Sequence, residues 1–480
     1  MALAGTTLGH PLRSRVMRAI ATTVLTAAVL AAAPAAAHAA APWSEPLTVP
    51  GTERVNPYSI GLSLGNADRG ALSFTSSAVP PSGQCTQNGA VAGVGRGAPG
   101  TPRTLDPYDL AAPAAAYGNT RSIVLQRRTL NCANGTARLA VSFASLPGSL
   151  GERRILDSSV SLDDAAVAVN PRGEGAVAWV EDRGYSGRRA NPDRLYLSLR
   201  RPGAAFGKPS VIVGSGKMTS VSVAYGSGGD LLVAVTRQTI DSSGDTGPRR
   251  VMARFRRSGH GFGAIADLGP EQGVTDLVTT VTSSGRGYVA WGTQDGGIEA
   301  NDPFNLYAVT KPAGPHAFRP TLRLFSGRGR DVDRPQGRVG LGVARDGSEG
   351  VLAFNGIADG GAGVGTLRPV LVSTTDARAS FQAPTPIPGA NGLGGGVALQ
   401  PDGTATVVWS GQRPGGADEA TGIFASTRPP GGAFQAFPEL VSLLPQQLSW
   451  PSAVAAPVNG GAVQAVWTQF GAGLRISRRG

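Results

Sequence analysis

The chain has 480 residues, of which 41% are hydrophobic, with 44 Lys and Arg, 32 Asp and Glu, 69 Gly and 36 Pro. That apolar fraction argues against disorder, and low charge with abundant Gly and Pro marks a turn-dense globular chain. The net charge of +12 favours contact with anionic surfaces, while arginines scattered along the sequence without an aromatic-basic stripe argue against nucleic acid.

Residues 1–39 read as a signal peptide. Arg13, Arg15 and Arg18 form the positive region, Ala19 to Ala33 the apolar core, and Ala37-His38-Ala39 the cleavage site. Cleavage removes three arginines and no acid, leaving +9. The apolar run is too short and too rich in Ala for a membrane span, and no later stretch approaches spanning length. The expected product is secreted, extracellular, soluble and monomeric.

Downstream, one pattern recurs. Seven strong apolar strands end in Phe74, Trp179, Val235, Trp291, Phe354, Trp409 and Trp467, with spacings of 105, 56, 56, 63, 55 and 58. Each follows an alternating strand and a tight turn such as NPRGE at 170–174 or QPDGT at 400–404. Asn, Asp and Gly there supply the positive φ that a hairpin needs. A third strand follows a polar loop, as in RLYLSLRR and GIFASTR. A short Gly/Pro turn then leads to an aromatic-headed fourth strand, such as FGKPSVIVG at 206–214 or FQAPTPIPG at 381–389. Four antiparallel strands per repeat is the pattern of a propeller blade. The sequence predicts an all-β chain: one β-propeller over residues 40–480 with seven four-stranded blades.

The last repeat stops at its third strand, LRISRRG. WSEPLTVPG near the N-terminus matches the missing fourth, with Trp43 at the Phe position and Pro46 where Pro209 and Pro384 sit. Pairing of 43–49 with 473–477 is expected to close the ring and remove two sheet edges.

The double first interval reads as an insertion, 78–135, within the first blade. That blade then resumes with ARLAVSFASLPG at 137–148 and LGERRILDS at 150–158. The insertion holds both cysteines, Cys85 and Cys132, expected to form one disulfide in an oxidising compartment. For a loop this long the bridge contributes at most roughly 4 kcal/mol. The insertion reads either as a pinned surface excursion or as a lid or partner-binding arm.

In a propeller the second-to-third and fourth-to-first loops share one face. Here the former are long and polar and the opposite turns short, so that face is the expected working face. Its candidate ligand contacts start with Asp182, Arg183, Arg188 and Arg189, after GAVAW. Asp295 follows GYVAW, and Arg330, Asp331, Asp333 and Arg334 precede the fifth blade. Arg413 follows TVVW, and Trp450, ahead of the last blade, is placed either to stack on a sugar ring or to pack between blades.

Catalytic signatures are weak. His260 and His316, the only histidines after the leader, occupy equivalent turns on the opposite face. That placement argues against a His-based metal centre or a Ser-His-Asp triad. GLSLG at 61–65 and GRGAPG at 95–100 lack the strand-to-helix setting their motifs require. Asp295, Glu299 and Asp302 offer calcium oxygen ligands, but at no known loop spacing; no cofactor is expected.

The pattern AVAVNPRGEGAVAW…RLYLSLRRPGAAFGKPSVIV resembles the secreted repeat propellers of high-GC actinobacteria over essentially the whole mature chain except 78–135. The resemblance implies fold and export, and little chemistry. A weaker similarity is to sialidase-type propellers, which hydrolyse terminal acidic sugars. SGDTG at 243–247 is similar to the start of their Asp box but continues PRR without the Trp. FRP at 318–320 is similar to their F-R-I-P stretch without the Ile. Two functions are therefore expected: non-catalytic binding of an extracellular polysaccharide, cell-wall polymer or protein partner, or, as the alternative, a sialidase-like exo-glycosidase with two carboxylates at a set separation.

Overall fold

The second strand of each repeat is an apolar run without alternation because both of its faces are covered. Gly175–Glu181 is buried along all but its last residue, as are the first six residues of Leu231–Ile240. A strand packed on both faces has no position that favours a polar side chain. Phe74, Trp179, Val235, Trp291, Phe354, Trp409 and Trp467 are all buried.

The computed structural model describes residues 42–53, 56–65, 68–77, 87–105, 115–117, 122–131, 136–144, 150–186, 189–241, 243–244, 246–271, 274–294, 303–328, 339–344, 346–355, 368–376, 378–412, 421–444, 451–455, 460–469 and 471–480. Residues 41–480 form one compact unit. It is all-β and built from four-stranded antiparallel meanders. Lys217–Tyr225, Leu231–Ile240, Thr246–Arg256 and Ala266–Glu271 make one; Val274–Val281, Gly287–Gln294, Pro303–Lys311 and Leu322–Arg328 make the next.

Two sheets have seven strands because a single long strand serves two repeats. Leu150–Val169 pairs through its first part with Thr136–Ala144 (Leu150 opposite Ala144) and through its last part with Gly175–Glu181 (Val169 opposite Gly175). Thr385–Leu399 is shared in the same way between Arg368–Thr374 and Ala405–Gln412. Divided at these strands, the described residues hold eight four-stranded units, not seven. They are unit 1 (56–104), unit 2 (115–161), unit 3 (162–213), unit 4 (217–271), unit 5 (274–328), unit 6 (340–392), unit 7 (392–444) and unit 8 (451–479 with 47–48).

The surplus unit lies in the double interval. Residues 78–135 are not one excursion: they contain Gln87–Val94 and Arg103–Thr104, the last two strands of unit 1, and Ala115–Tyr117 and Ser122–Asn131, the first two of unit 2. Gly70–Ser77 pairs with Gln87–Val94 (Phe74 opposite Ala90), so Thr136–Ala144 is the third strand of unit 2 rather than of unit 1. The physical reason is that Ser122–Asn131 runs from SIVL into QRRTLN and has no large aromatic at its end. Cys85 and Cys132 lie outside the described residues.

Successive units share cores. Unit 3 packs on unit 4 through Val180, Leu195, Val213, Met218, Val233 and Met252. Equivalent clusters join units 2–3, 4–5, 5–6, 6–7 and 7–8. Another joins unit 8 to unit 1, with Val466, Leu474 and Ile476 against Ile60, Leu72 and Phe74. The first strands of consecutive units are neighbours throughout, including Asn56–Leu64 beside Pro451–Ala455. Leu47 and Thr48 pair with Ile476 and Arg475 in the fourth-strand position of unit 8.

Candidate functional site

At the long-loop end, the loop joining the second and third strands of unit 3 has described structure on both of its arms. It is a small hairpin, with Tyr185 opposite Ala190 and Ser186 opposite Arg189. Its base is fastened by Asp193, a fully buried carboxylate. Asp193 accepts the Arg183 amide through Oδ1 (2.9 Å) and the Met218 amide through Oδ2 (2.8 Å). Lys217, at the start of unit 4, donates to both Asp193 Oδ1 and Asp182 Oδ1 at 2.6 Å. Asp182 Oδ1 also accepts the Gly184 amide at 2.8 Å, and Asn191 Nδ2 closes the base on the Arg183 carbonyl at 3.1 Å.

The electrostatics follow from burial. Burial alone would raise the Asp182 pKa, but the Lys217 ammonium and the Gly184 amide outweigh it and hold the carboxyl below its ordinary value. Burial likewise disfavours the Lys217 ammonium, and its two carboxylate partners reverse this and raise its pKa. Asp182 and Asp193 therefore serve as a clamp around a cation. For Asp182 the shift is the opposite of the one a general acid needs. Glu181, opposite Arg194 in the sheet, is the further carboxylate here. Its Oε2 is enclosed with no hydrogen-bond partner among the described residues.

The other end of the sheets is committed to holding units together. Asn170 Nδ2 donates to the Gly226 carbonyl of the next unit (3.2 Å), Ser284 Oγ to Asp346 O (3.2 Å), and Gln400 Nε2 to Gly461 O (3.0 Å). The basic residues that end third strands also buttress. The Arg200 guanidinium lies over Phe143 of unit 2 (4.2 Å), and the Lys311 ammonium over Phe255 of unit 4 (4.4 Å).

Of the sequence-predicted contacts, Asp182 and Arg183 sit together at the hairpin base, with Arg183 exposed. Arg189 lies on the second strand of that hairpin. Arg188, Asp295, Arg330, Asp331, Asp333, Arg334, Arg413 and Trp450, and the calcium candidates Glu299 and Asp302, lie outside the described residues. Asp193 and Lys217 were missed. One signal was available: the chain has only three lysines among its 44 basic residues, and Lys217 stands directly before an apolar strand start. Its two partners, 24 and 35 residues earlier, could not be read from that.

No known family pattern and no curated protein matches this sequence. Solved structures do show similarity. The polysaccharide lyase Uly1 aligns with a TM-score of 0.45 and 10% identity, covering 91% of this chain and 99% of that one. A protein of unknown function from Dyadobacter fermentans gives 0.40 and 11%, over 70% and 98% of the two chains. A neuraminidase-like protein from A/bat/Guatemala gives 0.36 and 9%, over 72% and 90%. Scores this low carry no inference about activity, and the architecture rests on this chain's own strand pairing. Among the described residues no helix is long and apolar enough to cross a membrane.

Proposed function

We propose that the protein is exported and works outside the cell as a non-catalytic binding propeller of eight blades, closed by the strand near Trp43 and Pro46. The long-loop end is its working face, and the ligand is an extracellular polysaccharide, a cell-wall polymer or a protein partner. The observation that carries this reading is the hairpin of loop 181–193. A loop fastened at its base by a buried carboxylate and a shared lysine keeps its conformation before the ligand arrives, which lowers the ordering cost of binding. The hairpin carries Arg183 and Arg189, and arginine suits bidentate recognition of carboxylate, sulfate or phosphate.

Ring closure is supported by the core shared between units 8 and 1 and by the pairing of Leu47–Thr48 with the C-terminal strand. The glycosidase alternative is disfavoured by the use of Asp182 and Asp193 as lysine partners. The test is binding of the mature protein to neutral and acidic glycans, cell-wall polymers and secreted proteins, with Arg183→Gln/Arg189→Gln alongside. Loss of a specific ligand in the double variant is the expected result. Turnover of a glycan, abolished by Glu181→Gln with binding retained, would replace this reading with the enzyme.

A further inference from the structure

Exposed apolar side chains gather at one place in this molecule. Among the described residues, Phe437, Leu440 and Leu443 fall together in unit 7, whereas Leu47, Ile155, Val211, Ile265 and Leu322 are spread singly over units 8, 2, 3, 4 and 5. Single exposed residues are ordinary; a grouped set marks a contact surface. Phe437 is 82% exposed and is surplus to the repeat. Phe434 already fills the place of Phe206, Phe262, Phe318 and Phe381, and three residues on the other units have Pro209, Ile265, Thr321 and Pro384. The loop of Phe437 is pinned from behind. Gln435 accepts the Thr427 amide through Oε1 (3.1 Å) and donates from Nε2 to Glu439 Oε1 (2.7 Å), which also accepts Arg479 Nη2 of unit 8 (2.9 Å). A loop fixed before its partner arrives lowers the ordering cost of binding.

The strand that follows, Glu439–Leu444, is the outer edge of its sheet, and no described strand pairs with its free side. The other fourth strands are guarded against pairing with a second chain. Ala266–Glu271 has Asp267 and Pro270, Leu322–Arg328 has Arg323 and Arg328, Thr385–Leu399 opens with Pro386 and Pro388, and Leu150–Val169 with Arg153 and Arg154. Ser210–Val213 is short and follows Lys208 and Pro209, while Arg103–Thr104 and Leu47–Thr48 have two residues each. Glu439–Leu444 has no Pro, Lys or Arg, and its one carboxylate is turned back to Arg479. A register shift completes the pattern. Leu440 pairs with Phe424, Ser442 with Ile423 and Leu443 with Gly422, so Val441 is an extra residue. Leu440 and Leu443, three apart, therefore lie on one face of the sheet, beside Phe424 and Gly422.

We infer that Glu439–Leu444 docks antiparallel on the same strand of a second copy, about a two-fold axis between Val441 and Ser442. Leu440 of each copy then lies opposite Leu443 of the other, on the same face. A strand without the extra residue could not pair with itself in this way, because residues three apart would face opposite sides. This self-match selects a second copy as the occupant, and the charges agree with it. The strand brings no uncompensated like charges together across the axis, whereas Leu322–Arg328 would set its arginines against those of the copy. The contact is one strand pair about 20 Å long, flanked by a Phe437 at each end. That is at the small end for a specific interface, so the dimer is reversible, and its two-fold symmetry closes it without further growth.

The test is sedimentation of the full mature protein over a concentration series, with three variants whose melting temperatures are checked against the parent's. Two carry like charges on the paired positions, Leu440→Lys/Leu443→Lys and Leu440→Glu/Leu443→Glu; the control, Leu322→Lys, changes an exposed leucine of unit 5. The expected result is a monomer–dimer equilibrium for the parent and the control, weakened about tenfold or more in each double variant. Mixing the two double variants at low salt should restore a dimer, which loss of folding in either would not allow. Raising the salt should weaken that mixed dimer and leave the parent's unchanged. A parent that is monomeric at every concentration, or that assembles beyond a dimer, overturns the inference. So does a dimer that persists in both double variants, one lost in Leu322→Lys, or a mixture that stays monomeric.

Discussion

The fourth strands of units 4 and 8 occupy the same place in their sheets and are held by different means. In unit 4, Ala266–Glu271 follows its partner through a short turn and pairs with it at five positions, from Arg249 opposite Glu271 to Ala253 opposite Ala266. In unit 8 the strand comes from the other end of the chain and pairs at only two positions. Backbone bonds from the Ser44 amide to the Arg478 carbonyl (2.7 Å) and from the Val49 amide to the Leu474 carbonyl (2.8 Å) flank them, and side chains add to these. Arg475 donates to Thr48 Oγ1 (2.7 Å) and the Pro46 carbonyl (2.9 Å), and Ser477 Oγ to the Ser44 carbonyl (2.7 Å). Thr52 Oγ1 accepts the Leu474 amide (2.9 Å) and donates to Val49 O (2.7 Å). A local turn makes pairing cheap in entropy. A strand supplied from hundreds of residues away has a larger loop to close and needs additional bonds.

The same contrast holds between units. At the turn position where unit 3 has Gly173 and unit 5 has Gly285, unit 1 has Asp68, in the left-handed region at φ 61. Its carboxylate accepts the Ala462 amide of unit 8 (2.9 Å) and the Arg96 guanidinium (2.7 Å), and its carbonyl accepts Gln464 Nε2 (3.1 Å). The strained residue is retained where the two chain ends meet.

Four substitutions break or sharpen this contrast. Trp467→Ala removes a fully buried indole from the core between units 7 and 8 and should cost about 3–5 kcal/mol in chemical denaturation. Lys217→Met at the interface of units 3 and 4 leaves Asp193 buried without its cation and should cost about 3 kcal/mol. Its pH dependence has a defined sign. The Asp182 pKa is depressed, so its contribution is present above the ordinary carboxylate value and disappears as pH falls through the lowered one. The Lys217 pKa is raised, so its contribution is complete below the ordinary lysine value and disappears as pH rises through the raised one. The stability gap to the parent should therefore be widest near neutral pH; a gap constant from acid to alkali would rule the clamp out.

Trp43→Ala acts at the seam. Trp43 packs on the cluster of Val441 and Trp467 but is only partly buried, so a loss of about 2 kcal/mol is expected, with faster hydrogen exchange in 473–479. A melting temperature equal to the parent's would remove the seam from the folding unit. Thr52→Val keeps the shape and deletes two hydrogen bonds at a buried site; about 1 kcal/mol should be lost, with the Leu474 amide the most affected.

The repeat was legible wherever a large apolar residue ends a covered strand next to an Asn/Asp/Gly turn, as at Trp179, Trp291 and Trp409. The pairing of Leu47 with Ile476 and Thr48 with Arg475 falls within the two segments, 43–49 and 473–477, that the sequence pattern set side by side. Unit 2 was not legible, because Ser122–Asn131 lacks the marker residue and its neighbours are Gly- and Ala-rich. Of the candidate site, the loop and its arginines were visible in the sequence. Asp193 and Lys217, which fasten it, were not.

By itself the sequence determined the alternating and continuous apolar runs, hence the strands, their four-fold order within a repeat and which strand is buried on both faces. Those properties depend on neighbours one to four residues away. Only the tertiary structure decided how many four-stranded units the described residues hold, the pairing of Thr48 with Arg475 and the clamp of Lys217 between two aspartates. Each is a contact between residues tens to hundreds apart, and which partner meets which is decided by the packing of whole sheets, not by local preference.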